Sequence, residues 1–215
     1  MRIPLAILLL GAALVSQAQS ADDYYPDARK KNENFVKLRD KDMRAHIATF
    51  ALAGIDERLG KEPLRTQVPA VAYGSDYISF EGNNIKVIIR SKPFEPDKHK
   101  LTYYNEKFLV KIDNKPYYGN YTQVPTTSIA SVRVVVGGDT VEIPPAAYED
   151  LHSPVFAYRD AGGTIRTHNR VYLSPDGRNI YIYMLNDEVK GKYEVTWIIQ
   201  DKKYLQRVVD TGLMQ

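Results

Sequence analysis

The chain contains no cysteine in 215 residues. That excludes disulfides, a thiolate nucleophile, a Cys-ligated metal and a lipidated N-terminal cysteine. Charge of one sign is also lacking. Lys and Arg number 29 against 26 Asp and Glu, a formal +3 that drops by one if Arg2 is removed with a leader. A balance this weak is not the basic footprint of a nucleic-acid-binding protein. Stretches 29–44 and 86–111 lean basic, but acids are interspersed in both, and they read as solvated faces. Beyond Val15 no apolar run is long enough to cross a bilayer. Metal-ligand spacing is missing too: His46, His99, His152 and His168 are widely separated, and no HExxH occurs. There is no G-x-S-x-G, no Gly-rich phosphate loop and no S-x-x-K with its partner motifs. Asp113-Asn114 and Asp176-Gly177 read as turn formers, because the alternating acidic loop of a calcium site is absent. No metal and no cofactor are expected.

What is present begins at the front. Met1-Arg2 carries charge, Ile3 to Val15 is apolar apart from Pro4 and Gly11, and Ser16 to Ala21 is small and polar. Charge, apolar core and small-residue cleavage region make residues 1–20 a secretory signal peptide, cut after Ala18 or Ser20. An apolar run of about 13 residues is too short to serve as a membrane anchor. The expected product is secreted or periplasmic and has no transmembrane segment. At about 195 residues it buries roughly 70% of its surface, enough to stand without disulfides.

Residues 21–63 read as a polar segment followed by a helix. Phe35, Leu38, Met43, Ile47, Phe50 or Ala51, Gly54 or Ile55, and Leu59 recur at helical spacing, which predicts one amphipathic α-helix over 34–59. Gly60 and Pro63 end it. Its apolar stripe either packs on the rest of the chain or docks a partner. After Pro63 the period changes to two. Residues 77–80, 85–90, 101–104 and 107–112 read as strands, and 129–144 as a hairpin turning at Gly137-Gly138. Pro144 to Leu151 suits a helical turn or two. Strands at 171–173, 180–185, 192–200 and 204–209 form a meander. Many short strands with little helix predict a mainly β chain: an antiparallel, immunoglobulin-like β-sandwich over 64–215, with a boundary near 150–165 if it divides.

In the run "NDEVKGKYEVTWII", alternation puts Tyr193, Val195, Trp197 and Ile199 on one face, the larger and more aromatic one, which should form core. Tyr193, just after Gly191 and opening its strand, resembles the tyrosine corner of immunoglobulin-like sandwiches. Val195 stands where antibody domains carry cysteine, a departure that removes the strongest mark of that family. The segments "KLTYY", "LVKIDNKPYYG", "VEIPPAAYEDL" and "YIYMLNDEVKGKYEVTWIIQDKKYLQRVVD" together resemble small secreted bacterial proteins of no assigned function. That resemblance spans most of the chain after residue 98 and implies no catalytic residues.

Tyrosine is the compositional excess: 16, against six Phe and one Trp. Its flat apolar face and polar tip suit sugars and peptides when exposed. Two groups stand out: Tyr117, Tyr118 and Tyr121 in a loop, and Tyr181 and Tyr183 on the strand face opposite Ile180, Ile182 and Met184. The strand pair is better explained as half-buried sheet. Loops on a rigid scaffold often carry binding. These five tyrosines are therefore the candidate binding residues of a non-enzymatic envelope module, its partner a glycan, a peptide or an envelope protein. Two other readings stay open: a hydrolase of envelope polymers with a carboxylate pair that sequence does not identify, and a structural subunit docking through helix 34–59.

Overall fold

The computed structural model describes residues 33–187 and 190–211; the segment read as a signal peptide lies outside them. Fourteen strands account for most of the regular structure. In chain order they are β1 (Gln67–Val68), β2 (Ala70–Tyr73), β3 (Tyr77–Gly82), β4 (Ile85–Pro93), β5 (Leu101–Tyr104), β6 (Phe108–Ile112) and β7 (Thr127–Val136). There follow β8 (Asp139–Val141), β9 (Tyr158–Arg159), β10 (Ile165–Arg166), β11 (Arg170–Leu173), β12 (Asn179–Asn186), β13 (Tyr193–Gln200) and β14 (Lys203–Thr211). All pair antiparallel. One five-stranded sheet runs β1-β11-β12-β13-β14 and a second β2-β3-β4-β7-β8; β5-β6 and β9-β10 are separate hairpins.

The sheets face each other across one core. Ile78, Phe80, Val87, Ile89, Val132 and Val134 from the second sheet meet Val171, Ile180, Ile182, Met184, Val195, Trp197 and Val209 from the first. These are the alternating apolar positions of each strand, so the mainly β sandwich follows directly from period-two patterning. Its core residues come from both sides of residues 150–165. Tight hairpins fix the register: Gly137-Gly138 turns β7 into β8 with both φ positive, and Asp201-Lys202 turns β13 into β14 the same way. Trp197 is fully buried, and its indole Nε1–H donates to Ala147 O at 2.8 Å. The expected core face of Tyr193, Val195, Trp197 and Ile199 is the observed one.

Apart from β1, the first sheet draws its strands from residues 170–211 and the second from residues 70–141, so the two do not alternate along the chain. An immunoglobulin domain instead interleaves its two sheets along the chain. Tyr193 differs accordingly: its hydroxyl donates to His152 O at 3.0 Å, far away in sequence, rather than to neighbouring backbone.

The 34–59 helix is shorter than its periodicity predicts. Only α1 (Lys41–Ala48) is α-helical, between one-turn helices at Phe35–Lys37 and Leu52–Gly54. Asp40 caps its start by accepting from Met43 N at 2.9 Å, and the Thr49 hydroxyl donates to His46 O at 2.7 Å at its end. The helix stops because Glu194, on β13, draws two backbone donors away from it. Leu52 N and Ala53 N donate to that carboxylate at 2.8 and 2.7 Å. Ala51 is accordingly extended. Gly54 then doubles back on Ala48, where a Cβ would lie 2.4 Å from the Ala48 Cα. The apolar stripe is real all the same. Phe35, Leu38, Met43, Ile47, Ala48 and Ala51 cover Tyr181, Tyr183, Leu185, Ile198 and Val208 on the outer face of the first sheet. Of the two readings open for the stripe, packing on the rest of the chain is the one observed from Phe35 to Ala51, while Ile55 and Leu59 at its end are exposed.

Candidate functional site

The five candidate tyrosines are not an exposed strip. Tyr117 and Tyr118 retain 1% and 0% of their surface, and Tyr181 and Tyr183 0% and 4%. Each is buried because its hydroxyl has found a partner. Tyr117 donates to Leu109 O and Asn120 O at 3.2 and 3.0 Å, which folds the 114–121 loop over β6. Tyr118 donates to Glu33 Oε1 at 3.1 Å, with the Arg207 guanidinium 5.8 Å from its ring centre. Tyr183 donates to Glu194 Oε2 at 2.7 Å, and Tyr181 is hydrogen-bonded to His46 Nδ1 at 2.9 Å. Burial pushes all four phenols well above the usual tyrosine range. Tyr121 is half-buried, its ring edge-on to Tyr117 at 5.4 Å. A ligand cannot stack on the four buried rings without unfolding what covers them.

A cavity of about 290 Å³ opens beside this loop. It lies where the β5–β6 hairpin and the 149–153 segment meet the end of the second sheet. Lys92, Phe94, His99, Asp113, Lys115, Tyr117, Ser128, Glu149, Asp150 and His152 are among its walls. Three of these form one row across the sheet. Ser128 on β7 pairs with Lys92 on β4 and bridges to His152 on its other side. Directly paired residues present their side chains on the same face. The β4 register slips between Arg90 and Ser91, just before Lys92. Such a bulge re-aims the residues after it.

The two histidines meet around Phe94. His99 stacks on that ring at 4.6 Å, and His152 stands edge-on to it at 5.2 Å and to Tyr117 at 5.4 Å. His99 Nδ1–H donates to Asp113 Oδ2 at 2.7 Å, while Lys100 N donates to Asp113 Oδ1 at 2.8 Å. The His99 hydrogen bond, then the Lys100 amide, hold the Asp113 carboxyl below its ordinary range. His152 is the opposite case. Only 4% of it is exposed, and desolvation pushes the imidazole down to about 4, so it is neutral at physiological pH. Its Nδ1 is buried with no hydrogen-bond partner among the described residues. An unsatisfied buried acceptor or donor costs about 1–3 kcal/mol.

Every carboxylate at the cavity is already engaged. Asp113 holds His99, Glu149 holds Lys115 at 3.2 Å, and Asp150 takes two bonds from Arg207 at 2.6 and 2.8 Å. Arg207 also donates to Glu33 at 3.0 and 3.1 Å. No group of three His, Asp or Glu converges as metal ligands among the described residues.

Apart from Tyr117, sequence reasoning missed this cluster. Each histidine looked solitary because short spacings were the test applied. The usable signal was hairpin register: Leu101 pairs with Ile112, which places residues 99 and 100 beside 113. Asp113 also looked sufficient as a turn former, and it does turn, with φ at 51°. Comparison with family models, with curated proteins and with solved structures finds no match.

Proposed function

We propose that this chain is an exported, non-enzymatic binding module that receives one small unit of a glycan or peptide in the His99–His152 cavity. The export part rests on the charge, apolar core and small-residue order of residues 1–20. The binding part is carried by one observation: a concave site with two aromatic walls and several convergent polar groups, at the end of the sandwich. Such a combination is the default mark of a ligand site. Its volume is at the small end for such sites, which favours a single residue or sugar ring over an extended chain.

The hydrolase reading is weaker here. Asp113, Glu149 and Asp150 do surround the cavity, but each is committed to a cation or imidazole of the protein. A glycosidase acid needs a carboxyl held high, and Asp113 is held low. The two carboxyls raised by burial, Glu194 and Asp210, lie under the N-terminal segment, hydrogen-bonded to its backbone. Docking through the 34–59 stripe is weaker because its residues from Phe35 to Ala51 are covered, leaving only Ile55 and Leu59 exposed.

The test is a glycan and short-peptide array probed with wild type and with His99→Ala, a half-buried wall residue whose loss spares the core. Binding by the wild type that falls at least about tenfold in the variant supports the reading. Array binding unchanged by His99→Ala would move the site elsewhere.

A further inference from the structure

The charges around the cavity pair off and leave a remainder. Asp113 is matched by His99, Glu149 by Lys115, and Asp150 by Arg207. Lys92 is not matched. Its ammonium makes no ion pair and no side-chain hydrogen bond among the described residues. The acid nearest to it in the chain, Glu95, feels the Lys92 charge but is taken as an ion-pair partner by Lys98 at 2.8 Å. Lys92 nevertheless stands in the row Lys92–Ser128–His152 on the cavity face. The inner end of that row is the neutral His152 ring, with its unpartnered Nδ1. The outer end is an unspent cation, with His99 across the opening.

We propose that the ligand of this cavity carries an anionic oxygen group, received by Lys92 with the Ser128 hydroxyl beside it. The rest of the ligand lies against Phe94 and Tyr117. This rests on the reading of the cavity as a binding site and adds the chemistry of its ligand. A neutral ligand would leave the Lys92 ammonium without a partner at a site where every other charge has one. A cationic ligand would face Lys92 with no free carboxylate to hold it. A carboxylate or phosphate completes the set, since hydrogen bonds between a charged donor and a charged acceptor are the strong ones. Lys92 is exposed and Ser128 buried, so the ammonium meets the ligand first and the hydroxyl fixes it within.

The experiment titrates the mature protein with five probes while the side-chain NMR signals of His99, His152 and Tyr117 are followed. The probes are glucuronate, an N-acetyl amino acid, inorganic phosphate, and neutral methyl glucoside with an N-acetyl amino acid amide as controls. The expected result is saturable shifts at all three residues with one or more anions and much weaker shifts with the neutral controls. Lys92→Gln should weaken the anion by about tenfold and flatten its salt dependence. Lys100→Gln, a neighbouring exposed lysine whose side chain neither lines the cavity nor holds a carboxylate, should leave it unchanged. Carboxylate and phosphate are separated by which probe saturates. Neutral probes binding as tightly as anions, with Lys92→Gln silent, would overturn the anion inference and leave the cavity reading intact. Shifts absent from all three residues with every probe would overturn both.

Discussion

Two regions of this molecule bury titratable side chains, and they do so in opposite ways. Under the N-terminal segment, the outer face of the first sheet carries Tyr181, Tyr183, Glu194 and Asp210. Each has a partner: His46, Glu194, the Leu52 and Ala53 amides, and the Phe35 amide. At the end of the sandwich, the cavity keeps an imidazole nitrogen and an ammonium without one. The seam behaves as architecture, because its polar groups, Arg58 Nε excepted, are consumed in fixing one segment on one sheet. The cavity behaves as a site, because partners are missing where solvent or a ligand can enter. Polar partnering separates the two better than residue type does, since both regions hold tyrosine and histidine.

The largest expected effect lies where the two regions share a support. Trp197 fills the core of β13, between the seam on one face and the 145–152 segment on the other, and it holds that segment through Ala147 O. Trp197→Ala should cost about 3–5 kcal/mol through the cavity it leaves. A thermal melt measures this, and an unchanged midpoint would contradict the buried assignment. Next comes Glu194→Ala, confined to the seam. It strips the acceptor from Leu52 N, Ala53 N and the Tyr183 hydroxyl. The loss should be about 2–4 kcal/mol, since orphaned buried donors are what such truncations leave behind. Limited proteolysis should then cut between Thr49 and Leu64 first, while the His99 and His152 signals stay in place. Equal disturbance of both regions would show that they are not separable.

The third contrast is in pH. Asp210 is raised by burial from 3.8 to about 6, with the Phe35 amide opposing and Glu194 reinforcing. Its folded value lies above its unfolded one, so its contribution is greatest in acid and is lost as pH rises through about 6. His152 is lowered from 6.5 to about 4, so its contribution is present above 6.5 and lost as pH falls through about 4. Across that window the two slopes oppose each other, each worth on the order of 1–3 kcal/mol after allowance for partial solvent screening. Urea midpoints of the wild type should therefore change little between pH 4 and 6. Asp210→Asn keeps an acceptor for Phe35 N and removes one of the seam's two opposing slopes, the other being that of Glu194, so that variant should lose more stability on acidification than the wild type. His152→Phe should show the reverse, gaining stability as pH falls. Parallel profiles for the two variants would refute the assignment of opposite signs.

How much of this was legible in the sequence depends on distance along the chain. Alternation in β13 and β12 is local, so the core face of Val195, Trp197, Ile180 and Ile182 could be read directly. The 34–59 stripe was legible as a buried face but not as three short helices, because the acceptor that breaks the helix, Glu194, is about 140 residues away. The loop tyrosines misled for the same reason. "NKPYYGNY" is polar, rich in Gly and Pro, and reads as exposed, yet Tyr117 is covered by the β5–β6 hairpin and Tyr118 by Glu33 and Arg207. The cavity was least legible of all. Lys92, His99, Ser128 and His152 come from four separate segments, and only strand register brings them together.

The smallest effect tests the joint between the two regions. Tyr193 opens β13, and its hydroxyl reaches His152 O, which also accepts from Asn186 Nδ2 at 3.3 Å. Tyr193→Phe removes one hydrogen bond and leaves its acceptor partly satisfied, so the cost should be about 1 kcal/mol. If the joint only stabilises, that is the whole result. If it also positions the His152 ring, the variant should shift the His152 side-chain resonances while those of His46, at the seam, stay fixed. A local tyrosine corner would give another pattern, with perturbation confined to residues just before Tyr193. The observed bond, spanning from β13 to the cavity wall, predicts that the disturbance appears at residue 152 instead.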